Sequence, residues 1–163
     1  MKNLKNTYFT IIAILFLSTL NAQISKAEIR ATGLTCSMCS NAINKQLKSM
    51  PEVASVDTDL NTNTFTVTLK KDNTLSPKIF KDKVEKAGFF IGVLIISIDA
   101  AAIKSTNFIN VNNSTAVGSD AKIQILDKGY VTDKEYKKLV KSFKNIATYE
   151  ANSEDDFHIK FVK

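Results

Sequence analysis

Between Ser25 and Ile98 the chain alternates strand-like and helix-like patterns in the order β-α-β-β-α-β, and few compact folds accept that order. Ile24 to Thr32 reads as a strand and Gly33 to Ser37 as a loop. Met38 to Ser49 follows as a helix, with Cys39, Ile43, Leu47 and Met50 recurring on one face until Pro51 ends it. Val53 to Leu60 alternates at period two, setting Val53, Ser55 and Asp57 against Ala54, Val56 and Leu60. Thr64 to Lys70 repeats the habit with Phe65, Val67 and Leu69, and the Asn61-Thr62-Asn63 turn makes the two a hairpin. Ser76-Pro77 starts a second helix, serine as a cap and proline in the first turn, with Ile79, Phe80, Val84 and Ala87 as its buried stripe. Gly88 stops it, and Phe89 to Ile98 is rich enough in β-branched and aromatic residues to be a final buried strand.

Two split β-α-β units of this kind give an antiparallel sheet with both helices on one face, so the predicted class is an α+β, ferredoxin-like sandwich. The sheet's other face is expected to stay wet. Residues 23–99 form this unit, and 100–119 read as a linker containing a strand around Phe108 to Val111. Residues 120–163 read as a smaller α+β region. It holds a strand at Lys122 to Leu126, a capping box at Thr132-Asp133-Lys134-Glu135, a helix carrying Tyr136, Leu139, Val140 and Phe143, and a strand from Phe157 to Val162. Patterning leaves open whether that tail is a separate domain or folds back onto the first.

At the N-terminus Lys2 and Lys5 precede an almost continuously apolar run from Tyr8 to Leu17, and Ser18 to Ala22 turns small and polar. That is the layout of a secretory signal peptide over residues 1–22, cut near Ala22. The run falls short of the roughly 20 residues that span a bilayer, so no membrane span is expected after cleavage and the location is periplasmic or secreted. Loss of Lys2 and Lys5, with no acid lost, takes the formal charge from +6 to +4. Basic residues are spread over both halves without interleaved aromatics, so no nucleic-acid partner is expected.

Cys36 and Cys39 are the only two cysteines. An exported chain stapled for stability carries more pairs at longer spacing, and a bridge between these two would close too small a loop to restrict the unfolded chain. Their proximity asks for a chemical reason. Placed between a strand and a helix, two thiolates can converge on one ion, and the unsatisfied amides of the helix start favour the thiolate form. Soft sulfur selects Cu(I), with Zn(II), Cd(II) and Hg(II) as competitors.

Gly33-Leu34-Thr35-Cys36-Ser37-Met38-Cys39 resembles the heavy-metal-associated domain of copper chaperones, copper-pumping ATPases and periplasmic mercury-binding proteins, whose signature is Gly-Met-Thr-Cys-x-x-Cys. Leu34 stands where the family has a packing methionine. The resemblance covers about residues 25–98 and extends to Ala87-Gly88-Phe89. It implies that Cys36 and Cys39 are the metal ligands and that Phe89 lies on the loop beside them, either shielding the site or packing in the core. Met38 reads as exposed or packed rather than as a third sulfur ligand. Thr35 offers no carboxylate where zinc-preferring members often carry one, which favours a monovalent soft ion.

His158 is the only histidine, and with no second imidazole or cysteine nearby in sequence it reads as a surface residue rather than a ligand. Glu154-Asp155-Asp156 reads as a solvated turn. The function expected is therefore exported soft-metal binding without catalysis, as a Cu(I) chaperone or a scavenger, with an envelope copper protein or an efflux component as partner. A thiol-disulfide oxidoreductase using the same two cysteines is the main alternative. Pro51 and Pro77 count against it, since both sit at helix boundaries and neither is placed as the cis-proline that faces a thioredoxin-like site. A third reading is an interaction module whose tail docks another envelope protein.

Overall fold

The computed structural model describes residues 23–103, 107–112, 115, 119–151, 153 and 156–162. The expected signal peptide lies outside them, as do Glu154 and Asp155. The elements run β1 (Ile24–Thr32), α1 (Ser37–Lys48), β2 (Val53–Asp59), β3 (Thr64–Leu69), α2 (Lys78–Lys86), β4 (Phe90–Asp99), α3 (Ala100–Ile103), β5 (Phe108–Asn110), β6 (Asp120–Ile125), α4 (Asp133–Ser142), α5 (Ala147–Ala151) and β7 (Phe157–Val162). The first six elements are the β-α-β-β-α-β unit read from the sequence, and further α and β elements follow it. The four-residue α3 and five-residue α5 were not anticipated, since neither is long enough to show a helical period.

One sheet takes in every strand, in the order β2-β3-β1-β4-β6-β7-β5. Its neighbours are antiparallel except β5 and β7, which run parallel from Phe108 opposite Phe157. The tail therefore folds back: β6 lies along the outer edge of β4, from Leu94 opposite Ile125 to Asp99 opposite Asp120. A strand edge that would otherwise offer its amides and carbonyls to solvent is paired within the chain.

The packing follows the same continuity. Ile43 and Leu47 of α1, Phe80 and Val84 of α2, and Ile29, Phe65, Val67, Leu94, Ile96 and Ile98 of the sheet are all buried in one cluster. Ile123, Ile125, Phe157 and Ile159 of the tail belong to that same cluster. Burying a side chain of this size contributes about 1.5–3 kcal/mol, so the tail strands are part of what holds the sandwich together. A second, smaller cluster gathers Leu126, Val131 and Tyr149 with Tyr136, Leu139, Val140 and Phe143 partly covered around them. Alternation along β7 sends Phe157 and Ile159 into the main core and His158 to the opposite face, where Tyr149 stands edge-on to its ring at 4.9 Å. That part of the sheet's second face is covered rather than wet.

His158 is thus fully buried, which corrects its reading as a surface residue. Asp127 accepts from the His158 backbone N–H at 2.7 Å and faces Nδ1 of the ring at 2.7 Å, while Thr148 Oγ1 meets Nε2 at 2.9 Å. Burial pushes the Asp127 carboxyl above the ordinary carboxylate range, and its contacts with His158 partly offset that. Asp127 lies thirty-one positions before His158. Neighbours in sequence gave no sign of this pairing.

Local chemistry explains the element ends. Thr132 caps α4 by accepting from the Glu135 amide at 3.3 Å, as its capping sequence predicts. Gly88, at φ +87°, closes α2. There the Gly88 amide donates to the Glu85 carbonyl at 2.8 Å and the Phe89 amide to the Val84 carbonyl at 3.2 Å, the paired bonds of a left-handed helix stop.

Candidate metal centre

Strand β1 carries the chain to one end of the sandwich, and three connections meet there: the loop from β1 to α1, the turn from β2 to β3 and the loop from α2 to β4. The Ala31 amide donates to the Asn63 carbonyl at 3.1 Å, tying the second of these to the end of β1. Thr32 Oγ1 donates to the Phe90 carbonyl at 3.3 Å, tying in the third. Gly33, at φ +84°, then turns the chain out of the sheet, with the Phe89 ring 3.9 Å from where a Cβ would stand.

Cys36 is the N-cap of α1, in extended conformation, and the Cys39 amide donates to its carbonyl at 3.1 Å. Cys39 is consequently the third helical residue. Side chains at the N-cap and third positions face one another across the first turn, which is why a two-residue spacer at a helix start brings both thiols together. Their sulfurs are 3.0 Å apart and unbonded, with Cys36 exposed and Cys39 half-buried. The Cys36 thiol beside it, followed by the Thr35 contacts, holds the Cys39 thiol below its ordinary value of 9.0 against a smaller opposing effect of burial. The first turn of α1 contains no acidic residue to oppose a thiolate.

The pair suits a soft ion. Metal–sulfur bonds of about 2.3 Å set two sulfurs about 3.8 Å apart at a tetrahedral angle and about 4.6 Å apart in line. From 3.0 Å the thiols have only to open, and the exposed loop leaves Cys36 room to do so. Among the described residues no group of three or more His, Cys, Asp or Glu side chains surrounds a common point. His158 is taken up by Asp127 and Thr148. Met38, between the two cysteines, is 81% exposed.

Phe89 is half-buried, packs against the main core and lies over Gly33, so it joins the core to the loop. Leu60 corrects its expected place on an alternating strand. The chain leaves β2 at Asp59, whose carboxylate accepts from the Asn61 amide at 2.9 Å and Thr62 Oγ1 at 2.8 Å, and Leu60 follows in the turn, 56% exposed. Leu60 and Asn63 line a shallow depression together with Leu34, Thr35, Cys36, Ser37 and Ser40. Periodicity could not have placed it there, because the turn decides which way it points.

A ferredoxin-like sandwich with two thiols at the mouth of its first helix defines a small metal-binding module. Residues 28–90 match the heavy-metal-associated domain. The solved structures it is similar to include a yeast copper transporter domain studied in apo and Cu(I)-loaded states, at 35% identity over 40% of this chain and 88% of that one, with a TM-score of 0.36. Another is the N-terminal domain of a potential copper-translocating P-type ATPase from Bacillus subtilis, at 31% identity over 41% and 82% of the two chains, with a TM-score of 0.36. The metallochaperone CopZ overlaps at 24% identity over 41% and 98%, with a TM-score of 0.38. The curated proteins offer no match. No helix among the described residues is long and apolar enough to cross a membrane.

Proposed function

We propose that this protein is exported, binds Cu(I) through the thiolates of Cys36 and Cys39, and passes the ion to another thiolate protein of the cell envelope. The observation that carries the reading is the pair of thiols 3.0 Å apart at the start of α1, outside the core. Two sulfur ligands without a carboxylate at Thr35 favour a monovalent soft ion over a divalent one that seeks four donors. Low coordination leaves the ion open to an entering thiolate, which favours handing it on over storing it. Export rests on the basic and apolar N-terminal sequence, and its direct check is the N-terminal mass of the protein from the envelope fraction, expected near Gln23.

Anaerobic titration of the reduced protein with Cu(I), Zn(II) and Hg(II), in competition with chelators, tests the site. Tight Cu(I) binding that Cys36→Ser and Cys39→Ser each abolish, with the fold retained, is the expected result. Near-native affinity in both variants would remove the assignment. Loss of Cu(I) at a rate independent of acceptor concentration would leave binding intact but favour sequestration over transfer.

A further inference from the structure

Helix α4 carries Lys134, Lys137, Lys138 and Lys141, all exposed, and Lys144 stands exposed just past its end. At about 100° per residue, the four helical lysines share roughly a third of the circumference, on the side opposite Tyr136, Leu139, Val140 and Phe143. Those four pack on the Leu126, Val131 and Tyr149 cluster, so the apolar side of α4 is taken up by the sheet and the lysines face outward. Like charges three and four apart on a helix repel, and Lys134 and Lys141 each stand at that spacing from both Lys137 and Lys138. Helix α2 shows the ordinary arrangement instead, with Lys81 paired to Glu85 one turn on at 4.0 Å. Among the described residues no ammonium of the α4 stripe has an ion pair. The acids of α4, Asp133 and Glu135, lie in its first turn, where the helix dipole favours them, and Lys141 has the matching reason in the last turn. Lys134, Lys137 and Lys138 have no such reason, and their repulsion is offset by nothing in the described part of the chain.

We propose that the lysine stripe of α4 adsorbs the protein to an anionic phospholipid surface, the helix lying along the headgroups with its apolar side still packed on the sheet. The occupant follows from the chemistry of the stripe. It holds no arginine to fork a fixed carboxylate, and no outward aromatic or methionine to anchor a protein interface, from which lysine is ordinarily depleted. Side chains that would stack on nucleic-acid bases are missing from it too. Point charges on flexible stems suit a plane of many interchangeable phosphates, where no single pairing has to be accurate. Because Tyr136, Leu139, Val140 and Phe143 pack inward, attachment is by charge rather than insertion, and so reversible and sensitive to salt. Each lysine held near such a surface strengthens binding by about fivefold. The proposal needs no bound ion and stands or falls apart from the copper reading.

The test sediments the metal-free chain from Gln23, which holds every described residue and leaves out the apolar N-terminal run, with two kinds of vesicle. One is phosphatidylcholine alone and the other contains about one-third phosphatidylglycerol. Binding is expected to the mixed vesicles only, and raising salt from about 50 to about 500 mM should abolish it. Lys138→Gln/Lys141→Gln should weaken binding by about twenty-fivefold, while Lys138→Arg/Lys141→Arg, which keeps the charge, should stay near the parent. Lys45→Gln/Lys48→Gln makes the same change of net charge on α1, across the sheet from α4, and should weaken binding far less. All three variants should keep the parent's melting temperature, since these lysines are exposed. No binding to the mixed vesicles, equal binding to phosphatidylcholine alone, insensitivity to salt, or equal losses in the two glutamine variants would each overturn the proposal. Tighter binding to polyglutamate or to a DNA duplex at the same salt, lost in Lys138→Gln/Lys141→Gln, would also overturn it by giving the stripe to an acidic protein or a nucleic acid.

Discussion

Asp127 holds His158 from two directions, one carboxylate oxygen accepting the backbone N–H and the other facing ring Nδ1, each at 2.7 Å. The contact ties the segment after β6 to β7 and supports the cluster around Tyr149, whose hydroxyl donates to the Leu126 carbonyl at 2.7 Å. Replacing His158 with leucine keeps the volume but leaves a buried carboxylate facing a hydrocarbon. We expect a loss of about 3 kcal/mol in denaturant unfolding. Asp127→Asn, which still offers an acceptor, should lose less. Unchanged stability in His158→Leu would mean that packing, not the polar pairing, matters at this position.

Cutting the chain after Asp99 exposes the edge of β4 and removes Ile123, Ile125, Phe157 and Ile159 from the main cluster. The shortened protein should melt well below the full chain and associate through its open strand edge, as calorimetry and light scattering would show. A truncated form as stable and monomeric as the parent would show that the β-α-β-β-α-β unit stands without its tail.

Cys39 should ionise at lower pH than an ordinary thiol, and the adjacent Cys36 thiol is the main cause. In Cys36→Ala that contact is lost, so the Cys39 titration should move upward, followed by thiolate absorbance or by alkylation rate against pH. An unchanged titration would transfer the effect to the contacts with Thr35 and the Cys36 backbone.

The turn contacts from Thr62 and Asn61 hold the Asp59 carboxyl below its usual 3.8. A folded-state value below the unfolded one adds stability that is present above pH 3.8 and fades as pH falls through the folded value. Carboxyl-carbon NMR should therefore place the Asp59 midpoint below 3.8. In Thr62→Ala, which removes the largest cause, the midpoint should rise toward that value.

The boundaries of β1 and β7 and the pair Cys36–Cys39 were legible in the sequence, because strand alternation and a two-residue spacer at a helix start are local signals. Three features were not. Whether β6 would pair with β4 depends on a free edge that only the assembled sheet presents. The burial of His158 depends on Asp127, far away along the chain, and on helices that arrive over the second face. Leu60 looked like a strand residue because period two says nothing about where the chain will turn. The closeness of the two cysteines is a local matter and could be read directly. Their surroundings are put together from distant segments and could not.

Cys36 begins α1 without making a side-chain cap hydrogen bond, so the helix starts with its usual stabilising contact missing. An ion held between Cys36 and Cys39 would bridge the N-cap to the third residue and clamp the first turn as a cap would. Loading would then reinforce a turn that the Cys39 and Ser40 amides already close on the Cys36 carbonyl. Amide exchange over residues 37–40 would report the cargo directly: fast in the empty protein, slowed when the ion is bound, and insensitive to it in the far turns of the same helix.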